Sequence, residues 1–417
     1  MSKVSKNSIL LIFSFLVILG KWSSSYYFFN ESLDTKIIFE SITDGKYYYT
    51  YIKFLSDFNF SYSFDPNVNN LKAIQFPIGG LIWHVIFFKI IGFKSFIVLE
   101  FLCLFLFLYI FSNLFNLIFN NQYLSILMSI ILFSSPIIIK TLGFNDFQQI
   151  KIFSDNIYNF RVPRPMISNL YFFSFFLILL KMMNKQFFSY KYLFLLGFIS
   201  GLSLSSFYYH FVIEFITLIF VVFFKFKTKF FFKIKKNIKP ILFSSIIFFI
   251  IVSPFLINLY AHEIDFTNRT CIFKVGFAEK KILIEYFFKK IFVNKFILLI
   301  FVTGIIQLII NRYLSEIKNL LNISFIIFIT SILAPFLFVI ITNESCVLYH
   351  FVNLIILTFS IHVLFLSSVL IKKISNKFTY SLFLLLISGL LFYLLISDFS
   401  KSKNLSLEKN FSSERKE

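Results

Sequence analysis

Long, unbroken apolar runs alternate with short polar connectors along almost the whole chain. The runs are Ser8–Ser24, Pro77–Gly92, Ser95–Phe119, Tyr123–Lys140, Ser168–Leu180, Tyr192–Tyr209, Phe211–Phe226, Pro240–Tyr260, Phe296–Asn311, Leu320–Ile341, Val347–Ile371 and Phe378–Ser397. A helix crossing a hydrocarbon core takes about 20 apolar residues, so the pattern predicts an all-α fold, a polytopic transmembrane helical bundle. The stretch Tyr192–Phe226 is 35 residues long. As one helix it would reach roughly 52 Å against a core of about 30 Å, so it is expected to fold as two helices with a hairpin near Tyr208–Phe211. Pro77–Gly92 has only 16 residues and contains His84 and Lys89, which predicts a re-entrant or juxtamembrane helix. The count is then eleven spans, or twelve if Pro77–Gly92 crosses fully.

Composition narrows the class further. Of 417 residues, 58% are hydrophobic, 22% aromatic and only 14% charged, whereas a soluble domain carries roughly 25% charged residues. A soluble globular enzyme, a disordered chain and a secreted disulfide scaffold are excluded. Outer-membrane barrels are excluded as well, because their strands alternate apolar and polar residues.

Charge sets the expected orientation. The chain has 40 basic and 20 acidic residues, a formal charge of +20. The lysines lie between apolar runs, so the positive-inside rule explains them and no nucleic-acid partner is implied. Lys225–Lys239 holds Lys225, Lys227, Lys229, Lys233, Lys235, Lys236 and Lys239 with no acid, which predicts a cytoplasmic segment. Lys181–Lys191 and Lys372–Lys377 fit the same side. Ser25–Gln75 is net acidic and is expected outside, with juxtamembrane helices in it. Residues 1–397 then form a single transmembrane domain with external loops 25–76, 141–166, 261–295 and 342–346. Ser8–Ser24 reads as a retained first helix, since no convincing small-x-small cleavage site follows it. The amino terminus lies inside, and the polar tail 398–417 lies outside.

Candidate chemistry collects in the external loops, which a rigid helical scaffold would hold in place. The first loop contains Ser41-Ile-Thr43-Asp44-Gly-Lys-Tyr-Tyr-Tyr-Thr-Tyr51. Asp44 is a candidate catalytic acid or base, and Thr43 or Asp44 equally suits the cap of a short interfacial helix. The second loop contains Asn159-Phe-Arg161-Val-Pro163-Arg164-Pro165, with two of the chain's five arginines within four residues. The prolines fix the local backbone. A rigid guanidinium pair suits bidentate grip of phosphate, while pairing with Asp146 or Asp155 is the structural alternative.

Weaker candidates are the helical pair His210 and Glu214, Glu100 within an apolar run, and His262-Glu263-Ile-Asp265. That last trio is a sparse metal pattern lacking a fourth ligand. Glu40 and His84 complete the accessory set. Neither a Ser-His-Asp grouping nor a phosphate-binding or dinucleotide-binding glycine motif is present, so no cofactor is expected. Cys271 and Cys346 both fall in loops assigned to the outside and could pair there.

In these residues the chain resembles the GT-C superfamily of polytopic glycosyltransferases, of the protein-mannosyltransferase and aminoarabinose-transferase kind. The resemblance rests on Asp44-Gly-Lys-Tyr-Tyr after the first helix, and on Phe76-Pro77-Ile-Gly-Gly through Ile91-Gly92. It rests further on Ser135-Pro136 leading to the loop with Arg161 and Arg164, and on Leu196-Gly197-Phe-Ile-Ser-Gly201-Leu202. It covers the architecture of the full chain and, in motifs, about the first 210 residues. The chain has Gly45 where the family often has a second acid, and Pro77 alone where a double proline is common.

What the resemblance implies is inverting transfer of a sugar from a polyprenyl-phosphate donor, at the external face of a bacterial inner membrane. Asp44 would accept the acceptor proton. Arg161 and Arg164 would stabilise charge on the departing lipid phosphate. Three other functions fit the same pattern: a lipid-linked sugar flippase or transporter, a surface-polysaccharide polymerase, and a non-catalytic component of an assembly complex. A transporter needs polar groups along a path through the bilayer, and the apolar runs contain few.

Overall fold

The computed structural model describes residues 3–29, 45–58, 78–141, 148–185, 187–261, 273–274, 276–291, 294–313, 317–342, 344–345 and 348–374. Helices dominate. In chain order they are α1 (Lys3–Phe29), α2 (Gly45–Ser56), α3 (Ile78–Ile91), α4 (Ser95–Phe119) and α5 (Gln122–Thr141). Then follow α6 (Gln148–Ile157), α7 (Ser168–Asn184), α8 (Tyr190–Ser206), α9 (Tyr208–Phe226) and α10 (Phe230–Lys236). The last group is α11 (Ile238–Ala261), α12 (Phe277–Ile291), α13 (Asn294–Tyr313), α14 (Lys318–Thr342) and α15 (Leu348–Ile374). Two-residue strands β1 (Phe273–Lys274) and β2 (Glu344–Ser345) pair antiparallel, Phe273 opposite Ser345. They tie the segment after α11 to the one after α14.

Among the described residues, seven helical stretches are long and apolar enough to cross a membrane: Lys6–Tyr27, Ile78–Phe119, Gln122–Lys140, Tyr208–Lys236, Ile238–Tyr260, Lys318–Thr342 and His350–Val369. Ser168–Asn184 and Ile300–Arg312 are shorter apolar helices. The outward faces are apolar too, with Leu16 on α1, Ile257 on α11 and Leu308 on α13 all exposed. Such surface is stable against lipid, not water. The expected Phe378–Ser397 span lies outside the described residues. The short run Pro77–Gly92 corresponds to α3, which is followed by α4 after a single turn. Ile78–Phe119 is one helical stretch of 42 residues, interrupted only by a 3-10 turn at Gly92–Lys94. Gly92 there has φ +60°, a left-handed conformation that glycine adopts without steric strain.

The interior follows from side-chain periodicity. On α1 the buried positions Leu10, Ser14, Ile18 and Trp22 recur every four residues and form the stripe facing α4. By contrast, α7 is buried nearly all round, which places it at the centre of the bundle. Between α4 and α7 the rings of Phe111 and Phe173 meet at 4.9 Å, and Phe107 of α4 lies 4.6 Å from the Tyr158 ring. Glycine sets the spacing of α8 and α11. A Cβ on Gly197 would lie 2.3 Å from the Ser244 carbonyl oxygen, and one on Gly201 would lie 2.9 Å from Ile251 Cβ. Small residues at such contacts let two backbones approach closely.

Hydroxyls and one imidazole join the remaining helices. Thr217 and Thr330 meet at 2.7 Å between α9 and α14, while Ser331 and Thr358 meet at 2.8 Å between α14 and α15. Ser324 and His362 meet at 2.8 Å further along the same pair. Interhelical hydrogen bonds of this kind supply association that hydrophobicity cannot supply within lipid. The helical interior is therefore more polar than the apolar runs alone indicate.

Candidate functional site

The segment between α6 and α7 is a tight coil. Arg161 N donates to Asn159 Oδ1 at 2.8 Å. The Pro163 carbonyl accepts the N–H groups of Ile167 at 2.9 Å and Ser168 at 3.1 Å. Asn169 Nδ2 donates to the carbonyls of Asn156 and Ile157, closing the loop on itself. Val162, Met166 and Ile167 are buried beneath it. Both Val162–Pro163 and Arg164–Pro165 are cis. The local sequence thus makes a rigid loop: prolines remove backbone donors, amides fill the open carbonyls, and apolar side chains anchor the underside.

Three other parts of the chain meet this coil. The first is α3. A Cβ on Gly80 would lie 2.7 Å from Pro163 Cβ, so the glycine lets α3 approach. Its neighbour Gly79 accepts the Tyr171 hydroxyl at 2.8 Å, and Tyr171 accepts from Trp83 Nε1 at 2.8 Å. The second is the junction of α1 and α4. Lys21 bonds Glu100 at 2.5 Å and lies 4.5 Å from the Phe160 ring centroid, one residue before Arg161. Trp22 Nε1 donates to the other Glu100 oxygen at 2.8 Å. Glu100 is thus a paired structural carboxylate. Close by, burial raises the Tyr158 phenol well above its ordinary range, with Cys103 and Glu100 adding to the effect.

The third is the break between α8 and α9, together with the first turn of α15. The break falls at Phe207, whose φ of −149° and ψ of 87° interrupt the helix, one residue ahead of the expected hairpin. The Arg164 guanidinium carbon lies 4.4 Å from the Phe207 ring centroid, and Nη1 meets His350 Nδ1 at 2.9 Å. The His350 ring makes T-shaped contacts with Phe207 and Tyr209, at centroid distances of 5.4 and 5.0 Å. Arg161 stays exposed and Arg164 is half-buried. Two guanidinium groups thus sit on one coil, and that of Arg164 is held between a ring face and an imidazole.

The other predicted residues occupy distinct positions. His210 is buried on α9, stacked on Phe172 at 4.9 Å and edge-on to Phe207 at 4.8 Å, directly behind Arg164. Glu214, one turn further, accepts from Ser203 at 2.8 Å, so each of the two finds its own neighbour. His84 is buried on α3 against Phe96 at 5.1 Å. Asp44 directly precedes α2, as a capping residue would, but it lies outside the described residues, as do Glu40, Asp146, His262, Glu263, Asp265, Cys271 and Cys346. The tyrosines after Asp44 pack on α3: Tyr49 stacks on Phe93 at 5.3 Å and meets Phe88 edge-on at 5.8 Å. Burial raises the Tyr49 phenol, and the Asp57 charge adds to the effect.

Sequence reading missed His350, Phe207 and Lys21 as neighbours of the arginines. The signal for His350 was its place at the start of an apolar run on the side assigned to the arginines. An apolar cleft of about 330 Å³ runs between α5, α6 and α15, lined by Met128, Leu132, Phe153, Phe359 and Leu364 among others. The coil continues from α6, and α15 carries His350, so the cleft and the arginine site share two elements. Phe359 follows His350 by nine residues, about 13 Å along the helix.

No protein-family model, curated protein or solved structure matches this chain. Fold and site together define an all-helical membrane protein with a rigid arginine site at the helix ends.

Proposed function

We propose that this chain is a membrane glycosyltransferase, taking a sugar from a polyprenyl-phosphate donor to an acceptor on the external face of the plasma membrane. The observation that carries the reading is the clamped Arg164 beside Arg161. The cleft along α15 supports it, because a lipid phosphate needs a cationic headgroup site and an apolar groove for its tail, and α15 runs from His350 to the cleft. In the proposed reaction the bond from the anomeric carbon to the phosphate oxygen breaks, and its electron pair stays on that oxygen. The acceptor oxygen bonds the anomeric carbon from the opposite face, and its proton passes to a carboxylate, for which Asp44 is the candidate. Arg161 and Arg164 meet the charge gathering on the lipid phosphate. The test is consumption of polyprenyl-phosphate sugars by the purified protein in nanodiscs. Donor hydrolysis or transfer that disappears in the Arg161→Ala/Arg164→Ala variant supports the reading. Inertness toward a panel of such donors, under conditions where the protein is folded, removes it.

A lipid-linked sugar flippase is the second reading. It is favoured by the polar groups buried along α9, α14 and α15: Glu214, the Thr217–Thr330 and Ser331–Thr358 pairs, and His362 with Ser324. Movement of a fluorescent lipid-phosphate sugar across proteoliposomes, with no sugar transferred, would decide for it.

A further inference from the structure

We propose that α10 and the lysines around it form a docking site for anionic phospholipids, at the end of the bundle opposite the arginine coil. This site is independent of the transferase reading.

The path of the chain places the segment at a membrane surface. With 19 residues, α9 is about 28 Å long, enough for a hydrocarbon core of about 30 Å. It starts at Tyr208, next to the ring that stacks on Arg164, so its other end lies a membrane thickness away. There Lys227 takes φ +45°, a left-handed conformation uncommon outside glycine. The 3-10 turn Lys227–Lys229 then leads into α10. Beyond Asn237, α11 runs parallel to α8, with Gly197 against Ser244 and Gly201 against Ile251, and so returns in the direction opposite to α9. Residues 227–237 therefore join two apolar helices at one face of the membrane. The junction is held in place: Lys225 Nζ donates to the Met183 carbonyl at 3.1 Å, and Phe226 stacks on Phe188 at 5.5 Å.

Two features set this connection apart from a hydrated loop. Phe231 and Phe232 are 81% and 64% exposed, which is unfavourable in water and favourable at the boundary between headgroups and acyl chains. Around them stand Lys227, Lys229, Lys233, Lys235, Lys236 and Lys239, with no acid from Lys225 to Lys239. None of the six has an ion-pair partner among the described residues. The spacing joins the two features. Lys235 follows Phe231 by four positions and Lys236 follows Phe232 by four, so each exposed ring shares a helix face with an exposed lysine one turn on. A ring seated among acyl chains leaves that ammonium, on its flexible stem, within reach of the phosphate layer. A phospholipid offers both halves at once, an anionic headgroup and an apolar chain. A nucleic acid or an acidic protein would match the lysines and leave the rings in water. The complementary surface is thus an anionic bilayer.

The test uses the full chain in nanodiscs. Phe231→Trp serves as a fluorescent reporter, read as the difference from wild type, and phosphatidylcholine or phosphatidylglycerol with brominated acyl chains serves as quencher. Both lipids should quench the reporter. Phosphatidylglycerol should be preferred there by at least about fivefold, the contribution of a single lysine at an anionic surface. Lys229→Gln/Lys233→Gln/Lys235→Gln/Lys236→Gln should remove the preference and keep the quenching. Lys181→Gln/Lys185→Gln/Lys191→Gln, at the ends of α7 and α8 that meet this same junction, should keep both. Raising salt from about 0.05 to about 0.5 M should lower the preference at least about twofold with every lysine in place, which covers a fourfold variant that does not insert. An unquenched reporter puts the ring in water and overturns the proposal, leaving a soluble polyanion as the partner this face suits. Equal affinity for the two lipids overturns it too, as does a preference that either the four Gln substitutions or the added salt leaves intact. An equal loss in the Lys181, Lys185 and Lys191 variant would spread the selectivity over the whole face and overturn the role of α10.

Discussion

A methyl group placed on Gly80 would lie 2.7 Å from Pro163 Cβ and 2.8 Å from Ser206 Oγ. The packing of α3 thus reads out directly in the position of the arginine coil. Gly80→Ala should push Pro163 and shift Arg164 with it, at an overpacking penalty of about 1–3 kcal/mol. The expected result is a folded protein with modestly lowered melting temperature and anion binding weakened at least tenfold. Unchanged binding in Gly80→Ala would show that the coil does not depend on α3.

Arg164→Lys and Arg161→Lys should differ. Lysine at position 164 keeps the charge but loses the planar stacking on Phe207 and the N–H pointing to His350. Donor consumption is therefore expected to fall at least tenfold for Arg164→Lys. Arg161 is exposed, and its lysine variant should fall only a few-fold if it acts as a point charge. Equal losses at both positions would mean that the clamp on Arg164 contributes nothing.

Lys21 and Glu100 predict a double-mutant signature. Removing one partner of a buried pair leaves an uncompensated charge, often at a penalty of about 3–5 kcal/mol. The side chain of Lys21 is 22% exposed and that of Glu100 only 1%, so the costly charge to leave uncompensated is that of Glu100. Lys21→Met alone should destabilise the protein strongly, and Lys21→Met/Glu100→Gln should recover part of the loss. Melting in detergent checks this; additive effects would show that the pair is not coupled.

Gly197 and Gly304 make a matched contrast. Gly197→Ala drives a methyl against a backbone carbonyl at 2.3 Å and should loosen α8 from α11, while Gly304 has nothing nearer than 3.7 Å. Gly304→Ala should be neutral or stabilising by about 0.5–1 kcal/mol, since α13 loses a flexible residue. A Gly197→Ala protein as stable as Gly304→Ala would contradict the close packing.

Orientation can be tested by labelling. In a variant lacking Cys103, Cys271 and Cys346, cysteines placed within 61–70 and 145–155 should react with an impermeant maleimide in intact cells, and those within 227–239 should not. Reaction of the last set would reverse the membrane orientation and move the arginine site to the cytoplasmic face.

The helices were legible because apolar run length is a local property. Most boundaries agree with the runs to within a few residues, and length alone called for a break within Tyr192–Phe226. The arginine coil was legible for the same reason, since its prolines and guanidinium groups are neighbours in the chain. The clamp was not. Arg164 and His350 are 186 positions apart and Lys21 and Glu100 are 79 apart, and no periodicity encodes which helix ends meet. The junction between α3 and α4 was half legible: the short run was visible, but the bend at Gly92 depends on one left-handed residue.

Three helices begin at the coil. The α7 helix starts at Ser168 directly after it, α9 starts at Tyr208 beside the ring that stacks on Arg164, and α15 starts two residues before His350. Each start carries roughly half a positive charge from its aligned peptide dipoles. The main chain therefore raises the electric potential at this point before any side chain is counted, and the arginines stand where that potential is already high. Because those dipoles are fixed and partly shielded from water, salt should screen them less than it screens the exposed Arg161, leaving a residual pull on anions that side-chain substitution does not remove.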